Sequence, residues 1–455
     1  MARSGRFPPG PFICRLAEAF IYSLMTPSQP PTVMVLLSPR TYRLPAFTAA
    51  AERLGVDLVQ VIDTPEPLAK QWQMELGLDF SRPDEAVAAI VAYGQKRPLQ
   101  AILAVDDSGA LLAAQASARL GLPHNDVGAA EAARNKYVMR QKLAAASVPA
   151  PRAQRFFTDQ KTADLLPHIS FPCVVKPTEL SGSRGVIRAN DAAELEAALV
   201  RLRRLLHGLA PAAQPFLVEE YVPGVEVALE GMLHNGRLSL LALFDKPDPL
   251  EGPYFEETIY VTPSRLPAAD QAAILDCTTQ AAKALGLRNG PIHAELRLNE
   301  RGPWLIEVAG RSIGGLCSQT LRFGENVSLE ELILRQACSL PMPDMTLDQS
   351  ASGVDQTASG VDQTASGVMM IPIPEAGLLR AVHGRDEAEA VPLIEEVTIT
   401  AKLNYPLVPL PEGDSYLGFI FARGETPAAV ETALRQAHAQ LRFQIDPLLT
   451  LVKSK

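Results

Sequence analysis

The sequence predicts a multi-domain protein of mixed α/β and α+β class, with an open parallel sheet first and a small β-rich piece last. Three observations carry this. Short apolar runs alternate with helically spaced apolar residues over 32–125. Helices then mix with alternating strands and an Asn-Gly turn over 126–343. After a low-complexity stretch at 344–368, a strand-and-helix pattern restarts and runs over 369–450. A chain of 455 residues is also too long for one simple core.

Residues 1–31 carry early arginines and a weak apolar run, Leu16 to Met25, broken by Glu18. A secretory signal needs an uninterrupted apolar segment and a small-residue cleavage site. We therefore expect a disordered leader, or a start codon placed too early. No apolar stretch has the length of a membrane helix. The expectation is a cytoplasmic protein with no membrane partner.

Val33 to Leu37 is continuously apolar, as suits a parallel strand buried on both faces. Tyr42 to Leu54 has helical spacing and stops at Gly55, a C-cap residue. Asp57 to Ile62 reads as a strand, Ala86 to Gly94 as a helix, and Ala101 to Val105 as a third strand. Asp106-Asp107-Ser108 then leads into an Ala-rich helix. Such alternation builds a Rossmann-like sheet with helices on its faces. No G-x-G-x-x-G follows the first strand, so a dinucleotide site is unsupported. The piece is expected to supply one wall of a shared cleft.

In the middle region Phe216 to Tyr221 reads as a strand, and Glu226 to Leu233 pairs with Leu238 to Leu243 through Asn235-Gly236. The heptapeptide Ala-Ser-Gly-Val-Asp-Gln-Thr fills 351–357 and 358–364, and Ala-Ser-Gly-Val restarts at 365. Each copy lacks a second apolar seam position, so this is no coiled coil. A tandem duplication expanding a surface loop is the simpler reading, and long loops are thermodynamically mild. Beyond it, Val397 to Lys402 and Tyr416 to Ala422 are strands, and Pro427 to Leu441 is a helix.

The formal charge is −9 and no long Lys/Arg run occurs, which argues against a nucleic acid partner. An acidic protein that handles nucleotides must gather positive charge locally. The five cysteines form no CxxC pair and no zinc spacing with histidine, so buried apolar thiols are expected for all but Cys317, which lies in a motif.

The middle region holds the chemistry. Cys173-Val-Val-Lys176-Pro177 ends an apolar strand on a lysine, and Ser181-Gly182-Ser183-Arg184-Gly185 follows. Glycines let backbone N–H groups approach phosphate oxygens. Glu219-Glu220-Tyr221-Val222 is an extended segment able to face an adenine edge, with Glu226 placed for a ribose hydroxyl. His293-Ala-Glu295 and Trp304-Leu-Ile-Glu307 lie on two strands joined by Asn-Glu-Arg-Gly at 299–302. Facing carboxylates repel unless a cation separates them, and Mg²⁺ takes one or two carboxylates with phosphate oxygens. The competing reading is a hairpin ion-paired through Arg297 and Arg311.

The order Lys136, Lys176-Pro177, Ser/Gly loop, Glu219-Glu220-Tyr221-Val222, Glu226, Glu295, Glu307 and Arg311 resembles the ATP-grasp superfamily. Glu307-Val-Ala-Gly-Arg311-Ser-Ile-Gly-Gly315 is similar to its L-amino-acid-ligase-like, carboxylate–amine ligase branch. Tyr405-Pro-Leu-Val-Pro409 and Ser415 to Ala422 resemble the small terminal domain of those ligases. The resemblance spans about Val33 to Phe443 apart from the repeat. It implies an ATP-grasp fold with a Rossmann-like pre-ATP-grasp domain and a small C-terminal domain.

It further implies roles. Lys136 and Lys176 would bind the α- and β-phosphates of ATP, under a lid of Ser181, Gly182, Ser183 and Gly185. Glu219 and the backbone of Glu220, Tyr221 and Val222 would take adenine, and Glu226 the ribose. Glu295 and Glu307 would ligate Mg²⁺, with Mn²⁺ as a substitute. Arg311 would steady the transferring phosphoryl group. Ser312, Gly314 and Gly315 would shape the acceptor site, and His293 would line the substrate pocket or be a satisfied core residue. Many ATP-grasp enzymes carry Glu-x-Asn, but here the third position is Ala309. The implied function joins a small-molecule carboxylic acid to an amine through an acyl phosphate, with release of ADP and phosphate. The alternatives are a biotin-carboxylase-like enzyme and a non-catalytic ATP-binding protein. A homodimer is the default assembly.

Overall fold

The computed structural model describes residues 30–39, 41–324, 326–343 and 364–448. The expected leader, up to residue 29, and the repeat from 344 to 363 lie outside the described residues.

The N-terminal sheet contains β1 (Thr32–Leu37), β2 (Asp57–Asp63), β3 (Leu76–Leu78) and β4 (Ala101–Ala104). All are parallel, in the order β3-β2-β1-β4. The short β3 had no sequence expectation. Alternate residues of β1 feed opposite faces, as the pleat requires. Val33, Val35 and Leu37 pack with Phe47 of helix Leu44–Leu54. Met34 and Leu36 pack with Val87 and Ile90 of helix Pro83–Lys96 and Leu112 of helix Asp107–Leu120. The first helix does end at Gly55, in the left-handed conformation.

A second sheet holds β5 (Ala153–Phe157), β6 (Cys173–Pro177), β7 (Ile187–Ala189) and β8 (Pro215–Glu220). Its order is β5-β8-β6-β7, all antiparallel. Helix Ala192–Leu209 begins at Asp191, whose side chain accepts from two backbone N–H groups, and buries five aliphatic residues against Val175, Phe216 and Val218.

The largest sheet has eight strands: β9 (Val225–His234), β10 (Arg237–Asp245), β11 (Ile259–Thr262), β12 (Gly290–Asn299), β13 (Gly302–Ala309), β14 (Ala365–Ile371), β16 (Ile394–Ile399) and β18 (Gly418–Gly424). They run β13-β12-β9-β10-β11-β14-β18-β16. β15 (Gly377–His383), β17 (Pro406–Leu407) and β19 (Arg442–Asp446) form a separate three-stranded sheet. The Asn235-Gly236 turn joins β9 to β10 with both residues at positive φ.

One expectation needs correction. Ala365 to Val368, expected at the end of a surface loop, is buried in β14, paired throughout with β18 and from Ser366 onward also with β11. Here tertiary pairing overrides a loop-like composition. The small C-terminal domain shares the large sheet, because β14, β16 and β18 extend the sheet begun by β9 to β13. One hydrophobic cluster accordingly includes Val33, Phe244, Phe323, Val368 and Phe419. Among the described residues no helix is long and apolar enough to cross a membrane.

Candidate functional site

Three of the four sheets and the segment around Asp414 to Tyr416 meet around a cleft of about 950 Å³. The carboxyl ends of β1, β2 and β4 face it through Ser38, Asp63 and Asp106, the usual ligand edge of an open parallel sheet. It is lined by Lys136, Lys176, Ser181, Gly182, Ser183, Glu219, Glu220, Tyr221, Val222, Glu226, His293, Glu295, Glu307, Arg311, Gly314 and Gly315. Two expected residues do not line it. Gly185 turns its N–H to Pro411 O at 2.7 Å. Ser312 accepts a hydrogen bond from Arg43 Nη1 at 2.7 Å and borders a smaller cavity behind the cleft. The expected acceptor-site role of the Ser312 side chain is therefore withdrawn.

Lys176 closes β6, its Nζ 2.6 Å from Glu219 Oε2 on the neighbouring β8. Arg140 Nε lies 2.7 Å from Glu219 Oε1, and all three side chains are buried. Burial lowers the Lys176 ammonium from its ordinary value, against the attraction of Glu219. Burial alone would raise Glu219, but Arg140 and Lys176 outweigh it and hold its carboxyl below the usual range. The Glu219 carboxylate, expected at adenine, is already engaged by two cations.

Helix Lys136–Ala145 is capped by the Asn135 side chain and presents Lys136 at its start. Lys136 Nζ donates to Leu180 O at 2.7 Å and to Glu307 Oε1 at 2.9 Å. Gly182, Ser183 and Gly185 all have positive φ; the N–H groups of Arg184 and Gly185 bond Ser181 O and Pro411 O, while Gly182 and Ser183 line the cleft. The C-terminal segment holds this loop down: Arg184 Nε donates to Glu412 O at 2.9 Å.

Glu295 and Glu307 face each other across β12 and β13, as the hairpin predicted. Neither expected arginine pairs with them: Arg297 Nε bonds Glu226 Oε2 at 2.8 Å, and Arg311 bonds Asp107. The hairpin ion-paired through those arginines is thus not formed. Instead Glu226, Glu257 and Glu295 bring oxygens within 4.8 Å of one another. Lys246 Nζ stands among them, 2.9 Å from Glu226, 3.8 Å from Glu295 and hydrogen-bonded to Glu257. Burial opposes the Lys246 charge, but the three carboxylates raise its pKa. Burial likewise opposes Glu295 ionisation, and Lys246 reverses this, so the Glu295 carboxyl is strongly lowered. Hard oxygen donors from Glu295 and Glu307, opposed in register at an open cleft, fit Mg²⁺.

His293 is buried, its Nδ1 3.1 Å from Glu230 Oε2 and its Nε2 3.7 Å from Glu295 Oε1. It lines the cleft and is also a satisfied buried histidine. The Tyr221 ring is covered by Arg188 at 4.0 Å with Arg297 5.2 Å from it, and the Tyr221 backbone N–H donates to Pro172 O at 3.2 Å. Arg297 Nη1 donates to Val222 O at 2.8 Å, leaving that carbonyl one further lone pair.

Sequence reasoning missed Lys246, Glu257, Arg140, Asp107, Arg43 and Glu230. A signal existed for the first: Lys246-Pro247 after β10 repeats the strand-terminal Lys176-Pro177 pattern.

Comparison with known proteins assigns the domains. An ATP-grasp domain model covers residues 169–320, and an ATP-grasp N-terminal domain model covers 48–124. The fold and these domain models together define an ATP-grasp ligase. An L-amino acid ligase C-terminal domain 2 model covers residues 369–446. The alanine–anticapsin ligase of Bacillus subtilis (strain 168) is 28% identical over 346 residues, 70% of this chain and 72% of that protein. The crystal structure of an L-amino acid ligase from Bacillus licheniformis superposes with a TM-score of 0.74 at 23% identity, over 92% of this chain and all of that one. A biotin carboxylase from Campylobacter jejuni shares the fold at a TM-score of 0.61 and 14% identity, over 91% of this chain and 92% of that one. The chain belongs to the L-amino-acid-ligase-like branch of the ATP-grasp enzymes, the ATP-dependent carboxylate–amine ligases.

Proposed function

We propose that the cleft binds Mg·ATP, passes the γ-phosphoryl group to a small-molecule carboxylate, and lets an amine displace phosphate to form an amide or peptide bond. The observation that carries this is the convergence of Lys136, Lys176, the 181–183 loop, Glu295, Glu307 and Arg311 on one cleft. A carboxylate is a poor electrophile because its leaving group would be oxide, and phosphorylation supplies a better one. Lys136 and Lys176 neutralise the polyphosphate, with Glu219 and Arg140 holding Lys176 at the end of its strand. The positive-φ loop offers N–H groups to phosphate oxygens, and Glu226 borders the ribose end. Arg311 meets the charge that spreads over the phosphoryl oxygens during transfer. Mg²⁺ held by Glu295 and Glu307 would supply further charge neutralisation there. The loop, docked on Glu412 and Pro411, keeps water from an acyl phosphate that would otherwise hydrolyse. The amine attacks as the free base, and the tetrahedral adduct then expels phosphate.

The names of the relatives make α-amino acids the first acids and amines to try. The test is ADP release by purified protein with Mg·ATP against pooled amino acids and small carboxylic acids, with mass spectrometry of products. Release that needs both an acid and an amine, with a product lighter than their sum by one water, is expected. ADP formation that follows bicarbonate alone would replace this reading with the carboxylase one. Lys176→Ala and Glu307→Ala should abolish turnover while remaining folded, and wild-type rates in either would overturn the site assignment.

A further inference from the structure

The Arg311 guanidinium is oriented from outside its own domain. Asp107 opens helix Asp107–Leu120, just beyond the carboxyl end of β4 in the N-terminal sheet. Its Oδ1 accepts from Arg311 Nε at 2.8 Å and its Oδ2 from Nη2 at 2.7 Å. Arg311 Nη1 donates to Ser312 O at 2.9 Å. A two-pronged pair of this kind fixes the plane of the guanidinium as well as its position. Both residues line the cleft. The same domain also holds the next two residues: Arg43 Nη1 donates to Ser312 Oγ at 2.7 Å and to Ile313 O at 3.1 Å. Arg43 Nη2 is anchored on Glu330 at 2.7 Å. Residues 311–313 are therefore clasped by two side chains of the N-terminal domain.

We propose that Asp107 is a positioning residue for the reaction, setting the Arg311 guanidinium toward the transferring phosphoryl group. This rests on the ligase reading above. It gives the N-terminal domain a part in the chemistry beyond that of a wall. A guanidinium freed from the fork rotates about several bonds and meets the developing charge only part of the time. An ion pair that merely docked two domains would act on stability and leave the rate untouched.

The test is a double-mutant cycle in the full chain, read as acid-dependent ADP formation with an acid–amine pair that the wild type uses. Asp107→Asn should lower kcat about 100-fold, the size of effect a small misplacement of a reacting group produces. KM for ATP should be unchanged. Asp107→Glu, which keeps a carboxylate, should recover part of the rate, and it serves as the second variant if Asp107→Asn folds poorly. Adding Asp107→Asn to Arg311→Ala should cost nothing further, because Asp107 acts only through Arg311. Independent, multiplying losses in the double variant would overturn the proposal, as would a wild-type kcat in Asp107→Asn. Wild-type turnover in Arg311→Ala would remove the role that Asp107 serves. Silence of the wild type toward every acid–amine pair would instead sink the ligase reading itself, and this proposal with it.

Discussion

Glu295 and Glu307 stand opposite each other on adjacent strands, yet each is served by a different lysine. Lys246 lies 3.8 Å from Glu295, and Lys136 lies 2.9 Å from Glu307. Both lysine side chains are buried, but their partners differ: Lys246, 3% exposed, stands among three carboxylates, whereas Lys136, 5% exposed, meets the single carboxylate of Glu307, which is 29% exposed. Their removal should therefore have separable effects.

Lys246→Met leaves Glu226, Glu257 and Glu295 with fewer cations between them. Breaking a buried ion pair from one side costs about 3–5 kcal/mol. Urea unfolding should show a loss of that order, and Mg²⁺ should restore part of it, because a divalent ion can stand where the ammonium stood. Unchanged stability would mean that the cluster is not held by Lys246.

Lys136→Met should destabilise less than Lys246→Met, since it leaves one partly exposed carboxylate without its ammonium rather than a cluster of three. Its main effect should be a raised KM for ATP. An unchanged KM would remove Lys136 from the phosphate site.

Glu219→Gln tests the buried trio on β6 and β8. The Glu219 carboxyl is held below its ordinary 4.5, so near and below that pH the unfolded chain binds a proton that the folded chain does not. The stabilisation is complete above pH 4.5 and is lost as pH falls through the folded value. Melting temperature should fall less steeply below about pH 4.5 in Glu219→Gln than in the wild type. Parallel slopes would show that this carboxylate is not linked to folding.

Gly224→Ala should strain the segment between Tyr221 and Glu226. Gly224 has φ +128°, and a Cβ there would lie 2.2 Å from Leu298 O. Backbone strain of this kind costs about 1–3 kcal/mol. KM for ATP should rise along with the loss of stability, and an unaltered KM would separate the segment from nucleotide binding.

What could be read from the sequence was local. Glu295 and Glu307 are close in the chain, and the turn at 299–302 brings them together, so alternation alone placed them face to face. Lys176 was legible because an apolar strand ended on it. Asp107 and Arg311 are 204 residues apart, and Arg43 and Glu330 are 287 apart. Pairs this distant leave no periodic trace, and they depend on how the N-terminal sheet docks. Ser312 was misassigned for a related reason. It lies one residue from Arg311, and nothing in the motif says which neighbour turns toward the cleft and which toward Arg43. Glu219 was read as an adenine group because its role as a counter-ion requires Arg140, which lies on another element.

The seating of Ala365 to Val368 in β14 bears on how this gene can vary. The four residues that enter the strand are the same four that begin each preceding heptapeptide. Losing or gaining one whole unit by slippage during replication leaves Ala-Ser-Gly-Val directly ahead of Met369 whichever copy is affected. The strand keeps its sequence and its register, and only the spacer upstream changes length. Copy number is thereby uncoupled from the sheet, so alleles with fewer or more units should be equally active.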